Sequence, residues 1–159
     1  MSLPANLITV AELAAATHRL PAGLVKAIIQ VESGGNTYAM RYEPAFLSRY
    51  VPSTPQRFGC ASLETERQAR ATSWGLMQIM GQVARELGCK EPFLSTLCDA
   101  VTGIHFGCLL LARLRDLYLR GYGWDGVISA YNQGSPIKNK KSGAFLNQGY
   151  VAKVRKHFP

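Results

Sequence analysis

The feature that most constrains the fold is an apolar stripe that recurs every three or four residues in the middle of the chain. Its members are Leu97, Val101, Ile104, Cys108, Leu111, Leu114 and Tyr118. This spacing places them on one face of a single long helix, because an α-helix turns once every 3.6 residues. A helix with one continuous apolar face normally lies in a core. The chain is therefore predicted to fold around this central helix.

Shorter helices are predicted on both sides of it. Thr9 and Glu12 have the spacing of a capping box, which predicts a first helix reaching about Arg19. Further helices are predicted at Pro21 to Gly35, Leu76 to Leu87, Trp124 to Tyr131 and Gln148 to His157. No segment alternates apolar and polar residues convincingly over six positions. The 159 residues are thus expected to form a single mainly α domain, 1–159, with little or no sheet.

One glutamate is placed unusually for a charged residue. Glu32 follows Ile28 by four residues and Ile29 by three, so it projects from the apolar face of its predicted helix. It also lies at the negative end of the helix dipole. Desolvation and the dipole both favour the protonated carboxyl and are expected to raise its pKa. A carboxyl that stays protonated is what a general acid requires, whereas the alternative is a solvated glutamate at a helix end.

Three short motifs surround this glutamate in chain order. They read VESGG at 31–35, SWGLMQIM at 73–80 and SAYNQGS at 129–135, and a closing segment GAFLNQGYVAKV occupies 143–154. Together they resemble the signature segments of the soluble lytic transglycosylases, which are related to goose-type lysozymes and cleave bacterial peptidoglycan. The resemblance spans about residues 20–154 and implies a lysozyme-like helical fold.

The resemblance also implies a mechanism and a set of site residues. Glu32 is the implied acid, which then serves as base and closes a 1,6-anhydro ring on N-acetylmuramic acid, with no second carboxylate. Tyr131 is implied to bond the Glu32 carboxyl, although a simple core tyrosine is the alternative. The implied substrate-binding residues are Ser33, Gly75, Leu76, Met77, Gln78, Tyr131 and Asn132. Of these, Leu76 and Met77 also fit a packing role, and Gly75 fits a close approach of backbone to substrate.

The chain departs from the family pattern between the first and second motifs. Glu32 and Gly75 stand 43 residues apart, and the irregular segment 36–70 between them is predicted to be loop with short helix. Such segments often carry function, so this one is a candidate flap over the cleft. Glu43 within it is a candidate second carboxylate, which would favour hydrolysis by water. The alternative for Glu43 is a solvated surface position.

The chain carries a formal charge of +8, concentrated towards its end. From Leu111 onward the basic residues are Arg113, Arg115, Arg120, Lys138, Lys140, Lys141, Lys153, Arg155 and Lys156, against Asp116 and Asp125. Such a patch suits a polyanionic partner such as a cell wall. A surface that only keeps the protein soluble is the alternative.

No metal or cofactor is expected. Cys60, Cys89, Cys98 and Cys108 contain no CxxC pair, and His18, His105 and His157 are isolated in sequence. Cys98 and Cys108 are predicted to share one helix, where they lie too far apart to bridge each other. One disulfide remains possible among Cys60, Cys89 and Cys98. The GYGWDG segment at 121–126 matches a dinucleotide fingerprint in letters only, because it follows a helix and not a strand.

The sequence therefore favours an enzyme that cuts peptidoglycan glycan strands as a monomer. The alternatives are a hydrolytic muramidase using Glu32, a non-catalytic wall-binding module and a basic nucleic-acid-binding protein; no reader motif supports the last of these. No apolar run is long enough to span a membrane, and no secretory signal is visible. The localisation stays open, and a phage lysis enzyme or virion-associated protein fits as well as a bacterial domain.

Overall fold

The computed structural model describes residues 3–59 and 62–159, and over these residues the chain is mainly α, as predicted. The helices are α1 (Ala5–Thr17), α2 (Ala22–Glu32), α3 (Pro44–Tyr50), α4 (Leu63–Arg70), α5 (Gly81–Glu86), α6 (Ala100–Gln133) and α7 (Gln148–Arg155), with a 3₁₀ turn at Leu94–Cys98. A small antiparallel sheet consists of β1 (Met40–Tyr42), β2 (Thr72–Trp74) and β3 (Ile79–Met80). No helix in these two ranges is both long enough and apolar enough to cross a membrane.

The main core lies between α1, α2, α6 and α7. The inner face of α2 contributes Leu24, Ile28 and Ile29, all fully buried, and α6 contributes Ile104 and Leu111. Their removal from water supplies about 1.5–3 kcal/mol for each large aliphatic side chain. The apolar stripe predicted for the central helix is therefore confirmed in its middle part. Its outer members differ, because Val101 is exposed and Leu97 lies in the 3₁₀ turn before the helix.

A second, smaller cluster lies under the sheet. It contains Trp74, Ile79, Leu94, Leu97 and Phe106, so α6 forms a wall shared by the two clusters. The β2–β3 hairpin bridges them, since its strands join the small cluster while its turn enters the main core. Glu32 ends α2 beside that turn, and the hairpin therefore fixes what lies next to the glutamate.

The inserted segment 36–70 folds more than predicted. It supplies the edge strand β1, where Met40 pairs with Trp74 and Tyr42 with Thr72, and the helices α3 and α4. The carboxylate of Glu66 in α4 is almost completely buried. It binds Arg70 within α4 and Arg85 in α5, with nitrogen–oxygen distances of 2.8 Å to each. This ion cluster fastens the insert to the helix that follows the hairpin.

Two helix boundaries were predicted wrongly. Thr9 does not open α1, since the helix begins after Pro4 and the Thr9 hydroxyl instead donates to the carbonyl of Ala5. The helix expected at 76–87 is limited to α5, because Gly75 and Gln78 adopt positive φ angles of 68° and 46°. Those torsions form the tight turn between β2 and β3, and a helix cannot include them.

The long helix α6 contains one break. Gly123 has φ 61° and ψ −170°, a conformation that is essentially restricted to glycine. The segment after the break, 124–133, carries Trp124 and Tyr131 on its inner face, as the apolar spacing predicted. The GYGWDG letters are thus part of this broken helix and not a strand-to-helix phosphate loop.

Candidate active site

Glu32 is the last residue of α2 and is only partly exposed. Gly34 and Gly35, with φ angles of 61° and 88°, turn the chain away directly after it, as the Gly-Gly pair predicted. Ser33 closes the helix, and its hydroxyl lies 2.8 Å from the carbonyl oxygen of Leu76 in the β2–β3 turn. Ser33 therefore ties the end of α2 to the hairpin, which fixes where the Glu32 side chain begins.

Burial raises the pKa of Glu32 above its ordinary value, as predicted from the apolar face. Two weaker influences act in the opposite direction: a hydrogen bond from Tyr150 and the positive charge of Arg41. The hydroxyl of Tyr150, from α7, lies 2.5 Å from Oε1 of Glu32. Burial and the neighbouring carboxylate raise the pKa of Tyr150 far above its usual range, so this hydroxyl stays a donor.

The prediction that Tyr131 bonds the Glu32 carboxyl is wrong for this structure. The Tyr131 hydroxyl donates instead to the carbonyl of Met77, at 2.8 Å. Tyr131 still lies close to Glu32, whose negative charge contributes, after burial, to raising the pKa of the tyrosine. Sequence reasoning missed Tyr150, although Val151 and Val154 mark the buried side of its helix and a buried tyrosine hydroxyl needs a partner.

The β2–β3 turn forms the floor of the site. Leu76 and Met77 are completely buried in the main core, so their side chains shape the turn from beneath. Gly75 meets protein backbone: a Cβ at this position would lie 2.2 Å from the carbonyl oxygen of Leu97. Because no side chain fits there, packing inside the protein is enough to require a glycine at this position, with no contact to a substrate.

The amide of Gln78 also makes its contacts inside the protein. Its nitrogen donates to the carbonyls of Ala39 and Gly75, both at 3.0 Å, and its oxygen accepts from Ser73 at 3.0 Å. These bonds hold the turn and join it to the start of the insert. The role of Gln78 in binding substrate stays a prediction, and its observed role is to position the hairpin.

Asn132 lies on the exposed rim, one residue after Tyr131. Its side-chain oxygen accepts a hydrogen bond of 3.0 Å from Asn147, which also binds the carbonyl of Ser129. Asn147 stands immediately before α7 and three residues before Tyr150. The rim of the site is therefore joined to the helix that carries the Glu32 partner.

Glu43, the candidate second carboxylate, forms an ion pair with Arg41, at 2.5 Å between Nε and Oε1. The guanidinium of Arg41 is largely exposed, and its charge also acts on Glu32. Arg41 thus interacts with both carboxylates. The Glu43 carboxylate is thus engaged in an ion pair with an exposed cation, an arrangement that is common at protein surfaces.

The basic residues of the last third are placed unevenly. Lys138, Lys140 and Lys141 are exposed on the segment between α6 and α7. Arg155 differs, since it binds Asp125 at 2.6 Å and stacks on Phe158. Lys138 lies over the rings of Tyr122 and Phe145, whereas Lys140 and Lys141 form no ion pair with another described residue. Lys140 and Lys141 are therefore freer than Arg155 to meet a polyanion.

Two of the three histidines are not isolated. Nε2 of His18 lies 3.3 Å from Nδ1 of His105, and burial, with the nearby His105 and Arg115, lowers the pKa of His18. No group of three or more metal-binding side chains is found within 3–59 and 62–159. Cys98 lies in the 3₁₀ turn and not, as predicted, in the same helix as Cys108. Cys89, Cys98 and Cys108 are free thiols, while Cys60 lies outside the described residues.

Comparison with known families agrees with this geometry. Residues 9–150 match the family model described as the transglycosylase SLT domain, which covers nearly the whole chain and all three motifs. None of the curated proteins compared with the chain matches it significantly. The resemblance inferred from the motifs is thus confirmed, and the chain belongs to the SLT-domain family of lytic transglycosylases that act on peptidoglycan.

Proposed function

We propose that Glu32 alone carries out the cleavage, first as acid and then as base, at the β-1,4 bond between N-acetylmuramic acid and N-acetylglucosamine. The raised pKa of this partly buried carboxyl is the observation that carries the proposal. A general acid must hold its proton near the working pH, and burial beside an apolar core is one way to achieve this. We also expect the enzyme to act as a monomer with no nucleic-acid partner.

The reaction requires one proton to leave Glu32 and one to return. Glu32 gives its proton to the glycosidic oxygen as the bond from that oxygen to C1 of N-acetylmuramic acid breaks. The substrate's N-acetyl group stabilises the positive charge at C1. The C6 hydroxyl of the same sugar then bonds to C1, and its proton passes to Glu32. The products are a free N-acetylglucosamine 4-hydroxyl and a 1,6-anhydro end, and no water is consumed.

Tyr150 supports both halves of this cycle. Its hydroxyl orients one oxygen of the carboxyl and stabilises the carboxylate that exists between the two proton transfers. Because desolvation outweighs this bond, the pKa of Glu32 stays above its ordinary value, which favours its role as the proton donor of the first step. The tyrosine therefore moderates the pKa of Glu32 without cancelling the rise.

The placement of Glu43 favours a single catalytic carboxylate. Its carboxylate forms an ion pair with Arg41, so the oxygen that faces Arg41 is already occupied and is not available to bind a water molecule. Hydrolysis by water remains the alternative outcome, with Glu43 as its candidate helper.

Mass spectrometry of digested, purified peptidoglycan tests the proposal. Glycan fragments ending in 1,6-anhydro-N-acetylmuramic acid are the expected products, and Glu32→Gln should yield none. Reducing ends, one water heavier, would instead identify a hydrolytic muramidase. Binding to walls without any cleavage by the wild-type protein would identify a non-catalytic wall-binding module.

A further inference from the structure

An open groove of about 590 Å³ lies outside the catalytic residues, between the start of the insert and the segment before α6. Two aromatic side chains line it, Tyr38 from the insert and Phe93 from the later segment. They are 79 % and 52 % exposed, so both rings are accessible to a ligand. Aromatic side chains that line the same groove are typical of ligand-binding sites.

The groove also offers polar groups, and its charge is negative. Glu91 and Asp99 contribute carboxylates, and Ser95 and Thr96 contribute hydroxyls. Aromatic walls with a few polar groups, at this volume, are typical of small-ligand sites. Two carboxylates disfavour an anionic ligand, although the chain as a whole is strongly basic. Wall phosphates, anionic lipids and nucleic acids therefore fit this groove poorly.

The backbone that carries these groups is held in place by buried or capping contacts. Arg85, fixed by the buried carboxylate of Glu66, donates to the carbonyl of Glu91 at 2.8 Å. Asp99 caps α6, since its Oδ1 accepts from the amide and hydroxyl of Thr102, both at 2.9 Å. A site held in this way loses little entropy when a ligand binds.

The groove is connected to the catalytic hairpin by short contacts. Ala39, which follows Tyr38, accepts hydrogen bonds from the Gly75 amide at 2.7 Å and from Gln78. On the other side, the Leu97 carbonyl lies against Gly75. The hairpin that places Leu76 beside Ser33 thus also contacts Ala39 and Leu97, the chain neighbours of the groove residues Tyr38 and Cys98. The groove and the Glu32 site are therefore connected through one hairpin.

We propose that this groove is an additional saccharide subsite, which holds a sugar of the glycan strand away from the bond that is cut. The apolar C–H face of a pyranose ring matches the Tyr38 and Phe93 rings. Its hydroxyls match the carboxylates, which accept hydrogen bonds, and the Ser95 and Thr96 hydroxyls, which donate and accept them. Tyr38 belongs to the insert, so the subsite is a property of this chain's long connection. The inference rests on the proposed cleavage of glycan strands.

The first experiment measures binding without catalysis. The probe is the N-acetylglucosamine tetramer, added to the Glu32→Gln protein, and the readout is the amide chemical shifts of Ser95, Thr96 and Asp99. These shifts should change with the sugar, and the change should be lost in Glu32→Gln combined with Phe93→Ala. Shifts confined to the substituted position 32 and to Tyr150, or no shifts at all, would overturn the subsite. A response to a lysine-containing peptide and not to the sugar would overturn it equally, in favour of a cation site.

The second experiment compares long peptide-free glycan strands with the shortest oligosaccharide that the enzyme cleaves. Tyr38→Ala and Phe93→Ala should each raise KM on the long strands by about fivefold, which corresponds to about 1 kcal/mol of lost binding. Turnover, and kcat/KM on the short substrate, should be unchanged. Tyr50→Ala is the matched control, because Tyr50 is another exposed tyrosine of the insert and does not line the groove.

The two experiments separate failure of the subsite from failure of the proposed reaction. If wild-type protein cleaves walls but the Tyr38 and Phe93 variants match the Tyr50 variant on long strands, the subsite is disproved and the reaction stands. If no cleavage occurs, the reaction is disproved, while the chemical shifts still decide whether the groove binds sugar. Thermal unfolding of each variant checks that its fold is retained.

Discussion

The hydroxyl of Tyr150 donates a 2.5 Å hydrogen bond to the Glu32 carboxyl, although 118 residues separate the two in the chain. Helix α7 is therefore part of the site and not only a closing element of the fold. The bond stabilises the charged form of Glu32, so it lowers a pKa that burial raises. Because burial and the Tyr150 hydrogen bond change the pKa of Glu32 in opposite directions, the role of Tyr150 can be tested through the pH dependence of activity.

Tyr150→Phe should raise the pKa of Glu32 further, because it removes one of the two influences that lower this pKa and leaves the burial that raises it. The first step needs protonated Glu32, so the alkaline limb of the kcat/KM profile should move to higher pH. Turnover should also fall about ten- to hundredfold, since the carboxyl loses its orientation. Tyr131→Phe is the control: it loses the bond to Met77, should cost about 1 kcal/mol of stability and should leave the limb in place. If the alkaline limb of Tyr150→Phe did not move, Tyr150 would not be the residue that lowers the pKa of the catalytic carboxyl.

Glu32→Gln should abolish cleavage and stabilise the fold at neutral pH. The general acid contributes at least about 100-fold, so less than about a hundredth of the wild-type rate should remain. The folded pKa is raised above 4.5, so between the two values the folded protein binds more protons than the unfolded chain. Wild-type stability therefore falls as pH rises through that window, and glutamine lacks this loss. Urea unfolding at several pH values measures the gap, which should widen towards neutral pH.

Glu43→Gln should change turnover by less than about fivefold, because a surface ion pair contributes up to about 1 kcal/mol. The products should still carry 1,6-anhydro ends. A variant almost as inactive as Glu32→Gln, from a wild-type enzyme that forms reducing ends, would show that Glu43 is a second catalytic carboxylate. Activity assays and product masses on the same peptidoglycan decide between these outcomes.

Glu66→Gln should destabilise the protein by about 3–5 kcal/mol, because it leaves the guanidinium groups of Arg70 and Arg85 buried with no carboxylate. Glu64→Gln is the matched control on the same helix: its exposed pair with Arg67 should cost less than about 1 kcal/mol. Free energies of unfolding in urea provide the measurement. Equal losses in the two variants would mean that the buried cluster does not fasten the insert.

Replacing Lys138, Lys140 and Lys141 by glutamine should weaken wall binding at low salt and flatten its salt dependence. Exposed charges act over a Debye length of about 8 Å at physiological ionic strength, so binding should also weaken as salt rises. Arg49, Arg57 and Arg113, all exposed, provide a control with the same change in net charge when replaced by glutamine. Cosedimentation with purified walls measures both effects. Similar losses in the two triple variants would assign the effect to net charge alone.

The helices could be predicted because their periodicity is local. The apolar faces of α2 and α6 follow from spacing within each segment, and the raised pKa of Glu32 follows from its place on such a face. The sheet could not be predicted, since its strands have two or three residues and Met40 pairs with Trp74 across the insert. A pattern that short leaves no alternation to detect.

The contacts around Glu32 were harder to predict than its own position. Tyr131 and Tyr150 are both inward-facing tyrosines, and only the packing of α7 against α2 decides which one reaches the carboxyl. The buried Glu66 lies in a segment whose many charges indicate a solvated helix. Its burial depends on Arg85, 19 residues away, which no local pattern reveals.

The break in α6 has a consequence for how this protein responds to random mutation. Gly123 touches nothing in the site, and a side chain placed there would extend into open space. Its backbone conformation nevertheless sets the direction of the last turns of α6, and with them the position of Tyr131 against the hairpin. Any other residue would favour different torsions and redirect that wall of the cleft. A screen scored only by activity would therefore report Gly123 as an active-site position, although it acts solely through the path of the chain.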